Sequence, residues 1–85
     1  MPKYDDEEIQ PDGSKIRDIE QVATTKGGHR VEVFKHWNLI NGTVYGGRVV
    51  VGKTGKTLVQ LTGYEDRRQA WKWLKIALLG GGMLR

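Results

Sequence analysis

Gly47-Arg-Val-Val-Val-Gly52-Lys53-Thr54 has the G-x-x-x-x-G-K-T spacing of a phosphate-cradling loop. That chemistry needs a flexible loop whose amides face the phosphates, a strand before it and a helix after it. Val49, Val50 and Val51 fill the intervening positions and prefer an extended strand. The residues beyond them read as a hairpin around Gly55 and a further strand, so the stretch is expected to be a turn. His29, Glu32 and His36 are metal-ligating residue types. On a strand, however, His29 and Glu32 point to opposite faces, and with no cysteine the spacing fits no familiar zinc pattern. Neither a metal nor a cofactor is expected. Ser14 has no base and orienting group at a recognisable spacing, so the chain is expected to be non-enzymatic. Asn41-Gly-Thr43 has glycosylation spacing, but an Asn-Gly turn accounts for it.

Positive charge is what remains. Residues 1–14 set Lys3 against five acids, a net of −4, while residues 15–85 set thirteen Lys and Arg against five acids, a net of +8. A body this basic suits a polyanion. Arg48, Lys53 and Lys56 on the hairpin, and Arg68, Lys72 and Lys75 on the outer stripe of a C-terminal helix, are candidates for phosphate contacts. Trp37 and Tyr45, with Tyr64, are aromatics that can stack on bases beside such charges. The expected function is a small accessory protein binding nucleic acid, DNA or RNA, although no base-reading motif is present. The alternative is a protein–protein module, a small regulator or inhibitor of a larger machine. The basic, Trp-containing stretch from Trp71 to Leu84 also has the character of a membrane-surface helix. The preceding strands give its apolar face a better home, so no membrane partner is expected.

These residues need elements to hold them. Residues 1–14 carry too few apolar side chains to offset the entropy of ordering and read as a disordered acidic arm. Residues 15–79 read as one domain and residues 80–85 as a flexible Gly-rich tail. In residues 15–25 two patterns compete. Ile16, Ile19 and Val22 recur every three residues, as in a helix, whereas Gln21–Thr25 suits a strand, which is favoured over the second half. Residues 29–37, 43–53 and 57–63 read as strands. Gly46-Gly47 within the second of these suggests a bulge or a close approach of another chain segment. Asp66 is placed to cap a helix, with Gln69 three residues on. Ala70, Trp71, Trp73, Leu74, Ala77 and Leu78 gather on its inner face.

The expectation is an α+β fold, a three- or four-stranded antiparallel meander with one C-terminal amphipathic helix on a sheet face. About 65 ordered residues without cysteine bury a modest core, so a homodimer is expected, through the helix or a sheet edge. The absence of cysteine, of a signal-peptide pattern and of a long apolar run points to a cytoplasmic protein.

Thr54-Gly55, Leu58-Val-Gln-Leu-Thr-Gly-Tyr64 and Ala70, with the upstream Val31-Glu-Val-Phe-Lys35, resemble the YegP-like family of small bacterial domains. The resemblance runs over residues 31–35 and 48–76. It implies an antiparallel meander with a helix across one face, often paired with a second copy, and it implies no activity. The turn lacks that family's usual Asn, the helix carries two tryptophans, and the connection at 38–47 is unusual.

Overall fold

Alternate residues of the central strand serve two different interiors. Val31 and Val33 face a helix, while Glu32, Phe34 and His36 face the other way, and all five are buried. A computed structural model of the chain describes residues 7–80. Its elements are β1 (Glu8–Ile9), β2 (Lys15–Thr24), β3 (Arg30–Asn38), β4 (Gly42–Val50), β5 (Thr57–Tyr64) and α1 (Arg67–Gly80). The strands form one five-stranded antiparallel sheet in sequence order, and α1 packs on β3, β4 and β5. The fold is α+β as expected, but with five strands rather than three or four.

The difference lies at the N-terminus. Residues 7–14 do not form part of a disordered arm. β1 pairs with the start of β2, Glu8 opposite Ile16, around the turn 10–14. Asp12 holds that turn, accepting hydrogen bonds from the Ser14 amide at 2.9 Å and the Ser14 hydroxyl at 2.7 Å. Residues 1–6 of the expected arm and 81–85 of the expected tail lie outside the described residues. β2 is extended over its whole length, with register shifts between Arg17 and Glu20 and between Gln21 and Ala23. These irregularities break the two-residue period of the strand and produce the helix-like recurrence of Ile16, Ile19 and Val22.

The helix begins where the cap was expected. The Asp66 side chain accepts the Gln69 amide at 2.8 Å, and its carbonyl accepts the Ala70 amide at 3.1 Å. Val31, Val49, Leu74 and Leu78 form the core between sheet and helix, flanked by Val22, Ala23, Val59, Leu61 and Trp71. Glycine at position 47 lets the helix approach. A Cβ there would stand 2.7 Å from a Leu74 methyl group. Trp73 does not join the core. It lies at the flank of the helix, 48 % exposed, whereas Trp71 packs inward.

The opposite face is covered because the sheet curls. β1 is hydrogen-bonded to β2 alone, yet the Glu8 carboxylate reaches Arg48 on β4 through two bonds of 3.0 and 2.9 Å. Phe34 and Ile16 are fully buried on this side.

Candidate nucleic-acid interface

The register of β2, β3, β4 and β5 places two rows of side chains on the part of the helix-side face that α1 leaves open. One row is Lys15, Trp37 and Thr43, and the next is Arg17, Lys35, Tyr45 and Tyr64. Lys15, Arg17, Lys35, Trp37 and Thr43 line a single cleft. The Lys15 ammonium lies 5.7 Å from the Trp37 ring centroid, and the Arg67 guanidinium lies 5.8 Å from that of Tyr45. Cations and aromatic rings are thus interleaved at strand spacing, about 5 Å apart across neighbouring strands.

Arg67 closes the side nearest the helix. Its Nη2 donates to the Asp18 carbonyl at 2.6 Å, and its Nη1 approaches Glu20 at 3.6 Å. Asp18 has φ of 53°, a left-handed conformation that Asp tolerates better than most residues, and it falls where β2 shifts register. The irregularity turns that carbonyl toward Arg67. Acids already sit on this surface. Glu7 meets Arg17 at 2.6 Å, and Asp18 meets Lys35 at 3.4 Å. The Arg17 hydrogen bond holds the Glu7 carboxyl below the usual carboxylate range. Exposed pairs of this kind are weak and screened by solvent, so a phosphate can exchange with the carboxylate.

The residues singled out from the sequence occupy several different places. Trp37, 38 % exposed, and the half-buried Tyr45 belong to the open face. Arg48 does not belong to a phosphate-binding surface. It is 8 % exposed and spends its guanidinium on Glu32 at 2.8 Å and on Glu8. Burial opposes its charge, but the hydrogen bonds to Glu8 and Glu32 more than offset this and raise its pKa. Arg30 joins the same cluster through Glu32 at 3.1 Å. Lys53 and Lys56 are exposed on the β4–β5 turn. Arg68 and Lys72 line a shallow hollow with Asp66 and Gln69 at the start of the helix. Lys72 and Lys75 lie over Trp73 and Trp71, at 5.6 and 5.1 Å.

The stretch Gly47–Thr54 runs from β4 into a closed turn. The Val51 amide donates to the Lys56 carbonyl and the Gly55 amide to the Val51 carbonyl, both at 2.8 Å. A strand follows, not a helix. Glu32 is engaged by two arginines, and the His36 Nδ1 lies 2.9 Å from the Thr62 hydroxyl. Among the described residues, no group of three His, Cys, Asp or Glu is placed to hold a metal ion. Among them, too, no helix is long and apolar enough to cross a membrane.

Lys15, Arg17, Lys35 and Arg67 were not among the candidates for phosphate contact. The available signal was the i, i+2 spacing of Lys15 with Arg17 and of Lys35 with Trp37, which places each pair on one face of a strand. Fold and surface together define a class: a small curled meander with a C-terminal helix and a basic, aromatic open face. Comparison with models of known families, with curated proteins and with solved structures finds no match for the chain.

Proposed function

We propose that this is a nucleic-acid-binding accessory protein that grips its ligand on the open helix-side face. Lys15, Arg17 and Lys35 contact phosphates there, and Trp37 and Tyr45 offer rings to unstacked bases. The observation that carries this reading is the single cleft that brings three cations to one tryptophan. Salt-dependent attraction by the cations and sequence-tolerant stacking by the rings are complementary sources of affinity. Lys53 and Lys56, and the Arg68, Lys72 and Lys75 stripe, supply further positive surface on separate elements. No catalytic step is assigned to any residue.

The test is fluorescence anisotropy with single- and double-stranded oligonucleotides at about 50 mM salt. Binding is expected to weaken by about tenfold or more in the triple variant Lys15→Gln, Arg17→Gln, Lys35→Gln. Undetectable binding by the wild-type protein sinks the reading.

A second reading, a protein–protein module acting as a small regulator or inhibitor of a larger machine, is favoured by exposed apolar side chains on the flank and outer side of α1 and on β5, which also suit the expected homodimer. Trp73, Ile76 and Leu79 are each about half exposed, and Leu58 on the edge strand β5 is 46 % exposed. Light scattering at micromolar concentration decides the homodimer, since a monomer at all concentrations removes it.

A further inference from the structure

The β3–β4 hairpin ends in an apolar tip that phosphate binding leaves unused. Leu39 is 88 % exposed and Ile40 92 % exposed. The tip is a shaped turn. The Asn38 Oδ1 accepts the Ile40 amide at 3.0 Å and the Asn41 amide at 2.7 Å. The chain carries no charge from Trp37 to Gly47, and the one charged residue lining the hollow beside Leu39 and Ile40 is Asp12, whose carboxylate is turned to the Ser14 amide and hydroxyl. Lys15 and Trp37 stand opposite one another just below the tip, and Arg17 and Lys35 stand opposite one another behind them. At roughly 3.3 Å per strand residue, these rows lie about 7–16 Å behind Ile40, a reach of one to a few phosphates along a nucleic-acid strand.

A large apolar side chain held at the end of a hydrogen-bonded hairpin turn, with cations set back from it, is suited to entering a stack of bases. The structure assigns a kind of ligand to this tip. We propose that Leu39 and Ile40 wedge between adjacent base pairs of duplex DNA while Lys15, Arg17 and Lys35 hold the flanking phosphates, and that the duplex bends as a result. This rests on the nucleic-acid reading given above. Two neighbours select a base stack over a lipid interior. Asn38 and Asn41 flank the apolar pair, and amide side chains are costly in hydrocarbon. In the minor groove, Asn can instead hydrogen-bond to base edges, where inserted Leu or Ile side chains unstack a step and kink the duplex. The cations behind the tip match the polyanion in charge.

The test uses the full chain and a variant, Leu39→Ser with Ile40→Ser. Both positions are exposed, so the variant is expected to melt as the wild type does. A duplex of about 30 base pairs, labelled at both ends for energy transfer and carrying 2-aminopurine, reports bending and unstacking. The wild type is expected to raise both transfer efficiency and 2-aminopurine fluorescence. The variant is expected to bind within about tenfold of wild-type affinity through phosphates and to leave both signals unchanged. A wild type that binds the duplex without moving either signal overturns the wedge and leaves the nucleic-acid reading standing. So does a variant that bends DNA as well as the wild type. A wild type that binds neither duplex nor single strand overturns both. Binding to phosphatidylcholine–phosphatidylglycerol vesicles that the variant loses, with DNA left straight, also overturns the wedge.

Discussion

At the scale of single residues, Arg48 is a charge that serves the fold. It lies between Glu8 and Glu32, and its side chain and that of Glu32 are each 9 % exposed. Removing Arg48 leaves the buried Glu32 with only the partly exposed Arg30 as a partner. Arg48→Ala is therefore expected to lower unfolding free energy by about 3–5 kcal/mol in urea titrations. The double variant Arg48→Met, Glu32→Leu removes both buried charges at once and is expected to lose much less. It is also expected to leave oligonucleotide affinity unchanged, because Arg48 faces away from the open surface. The paired glycines give a second contrast. A Cβ at Gly46 would collide with the Leu61 carbonyl of the neighbouring strand, whereas at Gly47 it would meet the end of the Leu74 side chain. A backbone yields less readily than a methyl group. Gly47→Ala is expected to cost about 1–3 kcal/mol, and Gly46→Ala more, by the same titrations.

At the scale of elements, the N-terminal hairpin is the acid-sensitive part of the fold. The Arg48 hydrogen bonds hold Glu8 below its ordinary value of 4.5, against the opposing effect of burial. The Ser14 hydroxyl and amide do the same for Asp12. A carboxyl whose folded pKa is depressed contributes its stability above the unfolded value and loses it as pH falls through the folded value. The thermal midpoint is thus expected to fall as pH drops below 4.5. Glu8→Gln should be less stable than wild type at neutral pH and show a shallower decline in acid. Parallel slopes for the two proteins would remove Glu8 from the account. This hairpin was also the element least legible in the sequence. Its acids and its Pro11 suggest solvation, and the one contact that ties it to a distant strand comes from Arg48, forty residues away. β2 was obscured by its own irregularities. β3, β4, β5 and the helix were legible because Val31 and Val33, Val59 and Leu61, and Ala70, Leu74 and Leu78 keep the period of their elements. Trp73 keeps that period too but lies at the margin of the inner face, where the sheet no longer covers it. The open face was harder to read. Its rows join residues from four strands, and their register depends on the shift at Asp18 and on the break between Tyr45 and Gly46.

At the scale of the whole molecule, an acidic front end is joined to a basic body, and the structure shows where the two meet. Glu7 lies on Arg17, one of the three cations of the cleft, and Asp5 and Asp6 immediately precede it in the chain. A polyanion that uses Arg17 has to displace that carboxylate. The phosphate then sheds a counterion, while the freed Glu7 attracts one, so this contact adds little to the salt dependence of binding. Contacts without an internal acid each contribute about −0.9 to the slope of log affinity against log salt on duplex DNA. Glu7→Gln is accordingly expected to tighten duplex binding severalfold at about 50 mM salt and to steepen the slope by about one. The two affinities should converge as salt rises, because the competing ion pair is exposed and screened. Titrations at four or five salt concentrations, with Glu20→Gln as a control acid paired to Arg67 at the rim, provide the measurement. If Glu7→Gln weakens binding instead, Glu7 positions Arg17 for the phosphate rather than competing with it. If both variants match the wild type at every salt concentration, Glu7 has no part in binding.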